Sequence, residues 1–140
     1  MHVLVTGGTG LLGSNWCAST TDTHKVTLGM HRRVVCFPGV GMKKLSLESV
    51  DSFLRDLDQI QPDCVVHAAG LANVDACEEH PELAFHANVE IADNVARACA
   101  LRGIRLAHIS TDHLFRGDRQ FLDESVAVNP VNIYGKTKAE

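Results

Sequence analysis

The sequence predicts an α/β protein built on a doubly wound parallel sheet. Three observations carry this. Apolar runs alternate with helix-like patterns along the chain. The runs are continuously apolar, as strands covered on both faces require. The first run, Val3-Leu4-Val5, passes directly into Thr6-Gly7-Gly8-Thr9-Gly10-Leu11-Leu12-Gly13, a glycine turn that opens a helix.

The elements follow in order. His2 to Thr6 forms strand one, and a short helix starts near Leu11 and ends in the polar stretch Ser19-Thr20-Thr21-Asp22-Thr23. Lys25 to His31 forms strand two. Val34 to Phe37 is compatible with extended chain, Pro38-Gly39-Val40-Gly41 reads as a loop, and a short third strand is expected near Lys44 to Ser46. Val50, Phe53, Leu54, Leu57 and Ile60 recur at spacings of three and four, which predicts an amphipathic helix. Pro62-Asp63 ends it and leads into strand four, Cys64 to Ala68. Pro81 opens a long helix with Leu83, Ala84, Ala87, Ile91, Val95, Ala98 and Leu101 on one face, and Gly103 suits the position just past its end. Ile104 to Ile109 forms strand five. Asn129-Pro130 reads as an N-cap with proline in the first turn of a last helix.

Composition narrows the function classes. The chain has 140 residues, 45% hydrophobic and 21% charged, as expected of one globular domain. A net charge of -4 gives no footprint for nucleic acid. No apolar stretch approaches the ~18 residues of a membrane span, and Met1-His2 runs straight into a strand, so a cytoplasmic protein is expected. The cysteines (Cys17, Cys36, Cys64, Cys77, Cys99) are odd in number and lack C-x-x-C spacing, which reads as reduced, buried thiols. The histidines are scattered, and no metal site is expected.

The glycine turn presents backbone N–H groups and a helix N-terminus to a pyrophosphate. Gly8, Gly10 and Gly13 fit G-x-G-x-x-G, and Gly7, Gly10 and Gly13 fit a looser frame. An ordinary strand–helix turn would look similar in isolation; the position after the first strand favours phosphate. Tyr134 and Lys138 are four apart and share one helix face. A phenol is a poor proton donor near pH 7, and a neighbouring ammonium favours its ionised form. The bland alternative is a surface tyrosine beside a solvated lysine. Gly135 is unfavourable inside a helix by ~1 kcal/mol against alanine, so something approaches the backbone there. Ser110-Thr111-Asp112 ends strand five at the sheet edge where ligands bind, and a hydroxyl there can hydrogen-bond a substrate carbonyl. After strand two, Gly29-Met30-His31-Arg32-Arg33 offers two arginines and no carboxylate. That favours NADP, through a 2′-phosphate contact, over NAD.

Together these segments resemble the extended short-chain dehydrogenase/reductase family, and within it the dTDP-4-dehydrorhamnose reductase branch. The resemblance spans the chain: the glycine loop, His67-Ala68-Ala69-Gly70, Asn73-Val74-Asp75-Ala76-Cys77-Glu78, Ser110-Thr111-Asp112 with Phe115 and Gly117, and Asn132-Ile133-Tyr134-Gly135-Lys136-Thr137-Lys138. It implies a Rossmann-type NAD(P)-binding domain over residues 1–140. It implies a catalytic triad of Thr111, Tyr134 and Lys138, with Tyr134 as general acid toward a sugar ketone and Lys138 holding the nicotinamide ribose. Gly7, Gly10, Leu11, Leu12, Gly13, His31, Arg32, Ala68, Ala69 and Gly70 would complete the cofactor site, and Asp112 and His113 would meet substrate. The branch carries tyrosine where this chain has His113, and aspartate where it has Ser46. Its members run about twice this length, which implies an N-terminal fragment that lacks the last strands and the substrate domain. Strand five would then present an open edge, and self-association, including a homodimer, is compatible with that. The implied activity is NADP-dependent reduction of a keto group on a nucleotide-activated deoxysugar. The alternatives are a nucleotide-sugar epimerase or dehydratase, or a non-catalytic regulatory subunit like that of methionine adenosyltransferase.

Overall fold

A computed structural model describes residues 1–31 and 34–140. In chain order the elements are β1 (His2–Thr6), α1 (Leu11–Thr20), β2 (Lys25–Met30), β3 (Gly41–Lys44), α2 (Val50–Ile60), β4 (Cys64–His67), α3 (Val74–Glu79), α4 (Pro81–Phe85), a π-helical turn (His86–Glu90), α5 (Ile91–Arg102), β5 (Arg105–His108), a 3-10 turn (Asp112–Leu114) and α6 (Ile133–Ala139). They divide into two units, residues 1–69 with 91–109, and residues 70–90 with 110–140. Among the described residues no helix is long and apolar enough to cross a membrane.

The first unit is a parallel five-stranded sheet of order β3-β2-β1-β4-β5. In β1, Val3 pairs with Val26 of β2 on one side and Cys64 of β4 on the other. Period-two alternation sends neighbouring side chains to opposite faces. Leu4 and Val65 pack with Phe53 and Leu57 of α2 and Val95, Ala98 and Cys99 of α5. Val3, Val5, Val26 and Leu28 pack with Cys17 of α1. Both faces are therefore covered at the centre of the sheet, which is why β1, β2 and β4 carry its apolar runs, whereas the edge strands β3 and β5 are largely exposed.

Local chemistry sets the helix ends. The Ser49 hydroxyl accepts from the Ser52 N–H at 3.2 Å and caps α2, and Asp51 lies in its first turn. Gln61, at φ 50°, stops α2 in a left-handed conformation. Gly103, at φ 63°, does the same after α5.

Four expectations need correction. The third strand occupies Gly41–Lys44 rather than 44–46. Its pairing with β2 begins at Gly41 opposite Thr27, and Ser46 leaves the ladder because its N–H donates to the buried Asp56 carboxylate of α2 at 2.8 Å. The long helix from Pro81 is interrupted by the π turn. A π turn inserts a residue and rotates the following face, so the single stripe breaks: Ala84, Val95 and Ala98 are buried, whereas Leu83 and Leu101 are exposed. The last helix starts at Ile133, not beside Asn129. The Asn129 N–H donates to the Leu114 carbonyl at 2.8 Å, which holds that residue outside the helix. Cys36 is exposed, unlike the buried Cys17, Cys77 and Cys99; all five cysteines are free thiols.

Candidate functional site

In the first unit, β1 delivers the chain to a tight turn at its carboxyl end. Gly7 has φ +66°, and a side chain there would sit 2.7 Å from backbone atoms of Ala68 and Ala69. Only glycine fits both the torsion and the gap. Gly13 seats α1 on the same turn, because a side chain on it would lie 2.7 Å from the Gly8 Cα. Gly10 is different: it is exposed, it caps α1 without a side chain, and its N–H donates to the Gly7 carbonyl at 2.9 Å.

An α-helix leaves the N–H groups of its first turn without intrahelical partners. In α1 no side-chain cap and no acidic residue competes for them. Leu11 and Leu12, 85% and 51% exposed, flank this end. Such a helix end suits an anion. Beside it, the Thr6 hydroxyl is hydrogen-bonded to His67 Nδ1 at 2.6 Å and accepts from the Ala69 N–H at 3.4 Å. It thereby fixes the half-buried Ala68-Ala69 segment after β4. His31 is exposed after β2. Arg32, the residue expected to meet a 2′-phosphate, lies outside the described residues, as does Arg33.

The second unit holds Thr111, Asp112, His113, Tyr134 and Lys138. The Thr111 Oγ1 accepts from the His113 N–H at 3.2 Å and donates to Asp112 at 3.3 Å, capping the 3-10 turn. The His113 ring packs edge-on against Tyr134, with centroids 5.4 Å apart at 69°. Asn132 caps α6: its Oδ1 accepts from the Gly135 N–H at 2.7 Å, and its Nδ2 lies 2.9 Å from His113 Nδ1. Glu78 of α3 accepts from the Ile133 N–H at 2.7 Å. The approach to the backbone expected at Gly135 is made by the protein itself, since a side chain there would lie 2.3 Å from the His113 carbonyl oxygen. Tyr134 and Lys138 are both partly buried on α6. Burial pushes the Lys138 ammonium below the ordinary lysine range.

One residue of this unit escaped the sequence reading. Asn88, 5% exposed, lies in the π turn. Its Oδ1 accepts from the Leu71 N–H at 2.7 Å, and its Nδ2 donates to the Leu71 carbonyl and to Thr137 Oγ1, both at 3.0 Å. Thr137 in turn donates to the Tyr134 carbonyl at 3.0 Å. Asn88 thus ties the loop that begins at the exposed Gly70 to the helix carrying Tyr134 and Lys138. The signal was available: an amide interrupts the apolar stripe four residues after Ala84. Among the described residues no cluster of three potential ligands could hold a metal ion.

A parallel sheet of this order, with a glycine turn at β1 and a Tyr-x-x-x-Lys helix, defines a Rossmann-type α/β protein of the short-chain dehydrogenase/reductase kind. More narrowly, the chain belongs to the family described as RmlD substrate binding domain, whose model matches residues 1–140. It is 35% identical over 148 aligned positions to methionine adenosyltransferase 2 subunit beta of Bos taurus, covering 99% of this chain and 41% of that protein. Its fold is similar to a hypothetical dTDP-4-dehydrorhamnose reductase from Sulfolobus tokodaii (TM-score 0.86, 30% identity, 99% of this chain and 49% of that one). It is also similar to a dTDP-4-dehydrorhamnose reductase from Bacillus anthracis in complex with NADP (TM-score 0.82, 29% identity, 98% and 46%). The chain therefore spans less than half the length of each of these proteins.

Proposed function

We propose that the protein binds a nicotinamide dinucleotide, NADP in preference to NAD, and reduces a keto group on a nucleotide-activated deoxysugar. The observation that carries the reading is the uncapped N-terminus of α1, behind a turn that tolerates only glycine at Gly7. Gly10, Leu11, Leu12 and Gly13 would hold the pyrophosphate. His31 and Arg32 would hold the adenosine end, and Ala68, Ala69 and Gly70 would line the path of the cofactor. The NADP-bound reductase structure of Bacillus anthracis supports that choice of cofactor.

When bound, the reduced nicotinamide supplies a hydride. The protein's own residues then manage the carbonyl oxygen. Tyr134 donates a proton to it, and the Thr111 hydroxyl, turned from Asp112, orients it. Lys138 holds the ribose and favours the ionised phenol once the proton has left. Substrate-dependent NADPH oxidation tests this reading. Tyr134→Phe is expected to abolish turnover while leaving NADPH affinity intact; turnover by the variant near the wild-type rate overturns it.

The 35% identity to an adenosyltransferase subunit favours a second reading, a regulatory subunit in such an assembly. Co-purification with a methionine adenosyltransferase catalytic subunit, without NADPH oxidation on any nucleotide sugar, would select it.

A further inference from the structure

The Asn132 amide has only one orientation consistent with its neighbours. The Gly135 N–H is a donor and lies 2.7 Å from one end of that amide, so that end is the oxygen. The other end, 2.9 Å from His113 Nδ1, is then an NH2 group, which only donates. His113 Nδ1 must therefore accept. An accepting Nδ1 leaves Nε2 as the nitrogen that carries the ring proton. A proton added to Nδ1 would set two N–H donors face to face. Turning the amide to relieve that would point its NH2 at the Gly135 N–H and remove the cap from α6.

We propose that His113 is a positioning residue for Tyr134 that acts through Asn132, so that protonating the imidazole uncaps the first turn of α6. For its catalytic consequence this rests on Tyr134 as the proton donor; for its structural consequence it does not. The contacts that transmit the change are short. The His113 ring touches Tyr134, its carbonyl sits where a Gly135 side chain would, and its N–H is bonded to Thr111. One protonation thus bears on the backbone between Asn132 and Gly135 and on the hydroxyl of Thr111.

The charged and titratable groups on the surrounding elements are Asp112 on the same turn and Tyr134, Lys136 and Lys138 on α6. Asp75, Cys77, Glu78 and Glu79 lie on α3, His80 caps α3 and α4, Glu82 lies on α4, and His86 with Glu90 on the π turn. Glu78 is bonded to the Ile133 N–H, and His86 to Glu90. Carboxylates and ammonium groups ordinarily titrate outside the range of about pH 5 to 8 in which imidazoles change charge. His86 on the π turn and His80, which caps both α3 and α4, are further imidazoles here, and replacing each separately distinguishes them from His113.

The test is an NMR pH titration of the whole chain. It follows the His113 ring nitrogens and hydrogen exchange at the Gly135 amide, corrected for the intrinsic rate. Above the titration His113 is expected as the Nε2–H tautomer. As His113 protonates, protection of Gly135 is expected to fall about fivefold, the size of a lost N-cap. His113→Gln, which keeps an acceptor and cannot titrate, should hold Gly135 protected throughout. Asn132→Asp should invert the response, because a carboxylate accepts both from Gly135 and from protonated Nδ1. His80→Gln and His86→Gln should each leave the wild-type profile in place. An Nδ1–H tautomer at high pH, or Gly135 protection that is flat while the His113 ring titrates, overturns the proposal. Because neither readout uses turnover, a failure here is separate from a failure of the reductase reading.

Discussion

Gly135→Ala opposes two effects of known size. Inside a helix, alanine is favoured over glycine by ~1 kcal/mol, so propensity alone predicts a more stable protein. The structure predicts the reverse. The new Cβ would lie 2.3 Å from the His113 carbonyl oxygen and 2.9 Å from the Pro130 Cβ. Reaching ordinary contact requires a separation of roughly 1 Å more, and dispersion contacts are optimal only near ~3.5–4.0 Å. The carbonyl cannot simply yield. Its residue is held by the Thr111 cap, and the turn is closed by Phe115 N–H to Asp112 and Asn129 N–H to Leu114. Overpacking of this kind costs ~1–3 kcal/mol, and a disturbed Asn132 cap adds ~1 kcal/mol. Against ~1 kcal/mol gained from propensity, the net is a loss of about 1–3 kcal/mol. Equilibrium urea unfolding, with native-state amide exchange at Thr137 to isolate α6, measures it. A variant that is unchanged or more stable would refute the close packing of α6 on the 3-10 turn.

Two further outcomes follow. Arg32→Ala is expected to weaken NADPH roughly ten- to a hundredfold, the loss of one charge-assisted contact of ~1.5–3 kcal/mol, while sparing NADH; equal losses in paired titrations would reject the 2′-phosphate role. Because burial lowers the Lys138 ammonium below the ordinary lysine range, the folded state disfavours its charged form. Lys138 therefore opposes folding at neutral pH, and that penalty fades as pH rises through the folded value toward the unfolded one. Competitive acylation read by mass spectrometry should find Lys138 more reactive than Lys136 at a common pH below the lysine range, once the two are normalised for access. A lower normalised reactivity would contradict the direction of the shift.

Much of the first unit was legible in the sequence because its signals are local. Val3 to Val5 and Val26 to Leu28 are buried on both faces and read as unbroken apolar runs, and α2 shows its stripe at Phe53 and Leu57. The glycine turn was legible for the same reason: Gly7 and Gly13 meet steric demands set by near neighbours and by the adjoining strand. What was hidden depends on partners far along the chain. The π turn exists where Asn88 bonds to Leu71 and Thr137, 17 and 49 residues away. Proline after Asn129 points to that residue as the cap of the last helix. Asn132 caps it instead, held by the Gly135 N–H and by His113, 19 residues away. The helix α3 went unforeseen because six residues show no periodicity. Spacing and the family resemblance point to Tyr134 and Lys138, whereas the reason glycine separates Tyr134 from Lys136 lies in the His113 carbonyl packed against it.

If the glycine turn and the N-terminus of α1 hold a dinucleotide phosphate, the chain must bind NADPH there. Titrating NADPH by its fluorescence against the wild-type chain and Gly10→Val tests it most directly. Gly10 is exposed, and a side chain there meets only the Gly7 carbonyl at 3.1 Å, so the variant is expected to fold, which circular dichroism checks. Saturable binding by the wild type and its loss in the variant are expected. Equal affinity in a folded Gly10→Val, or no binding by the wild type, would contradict that site.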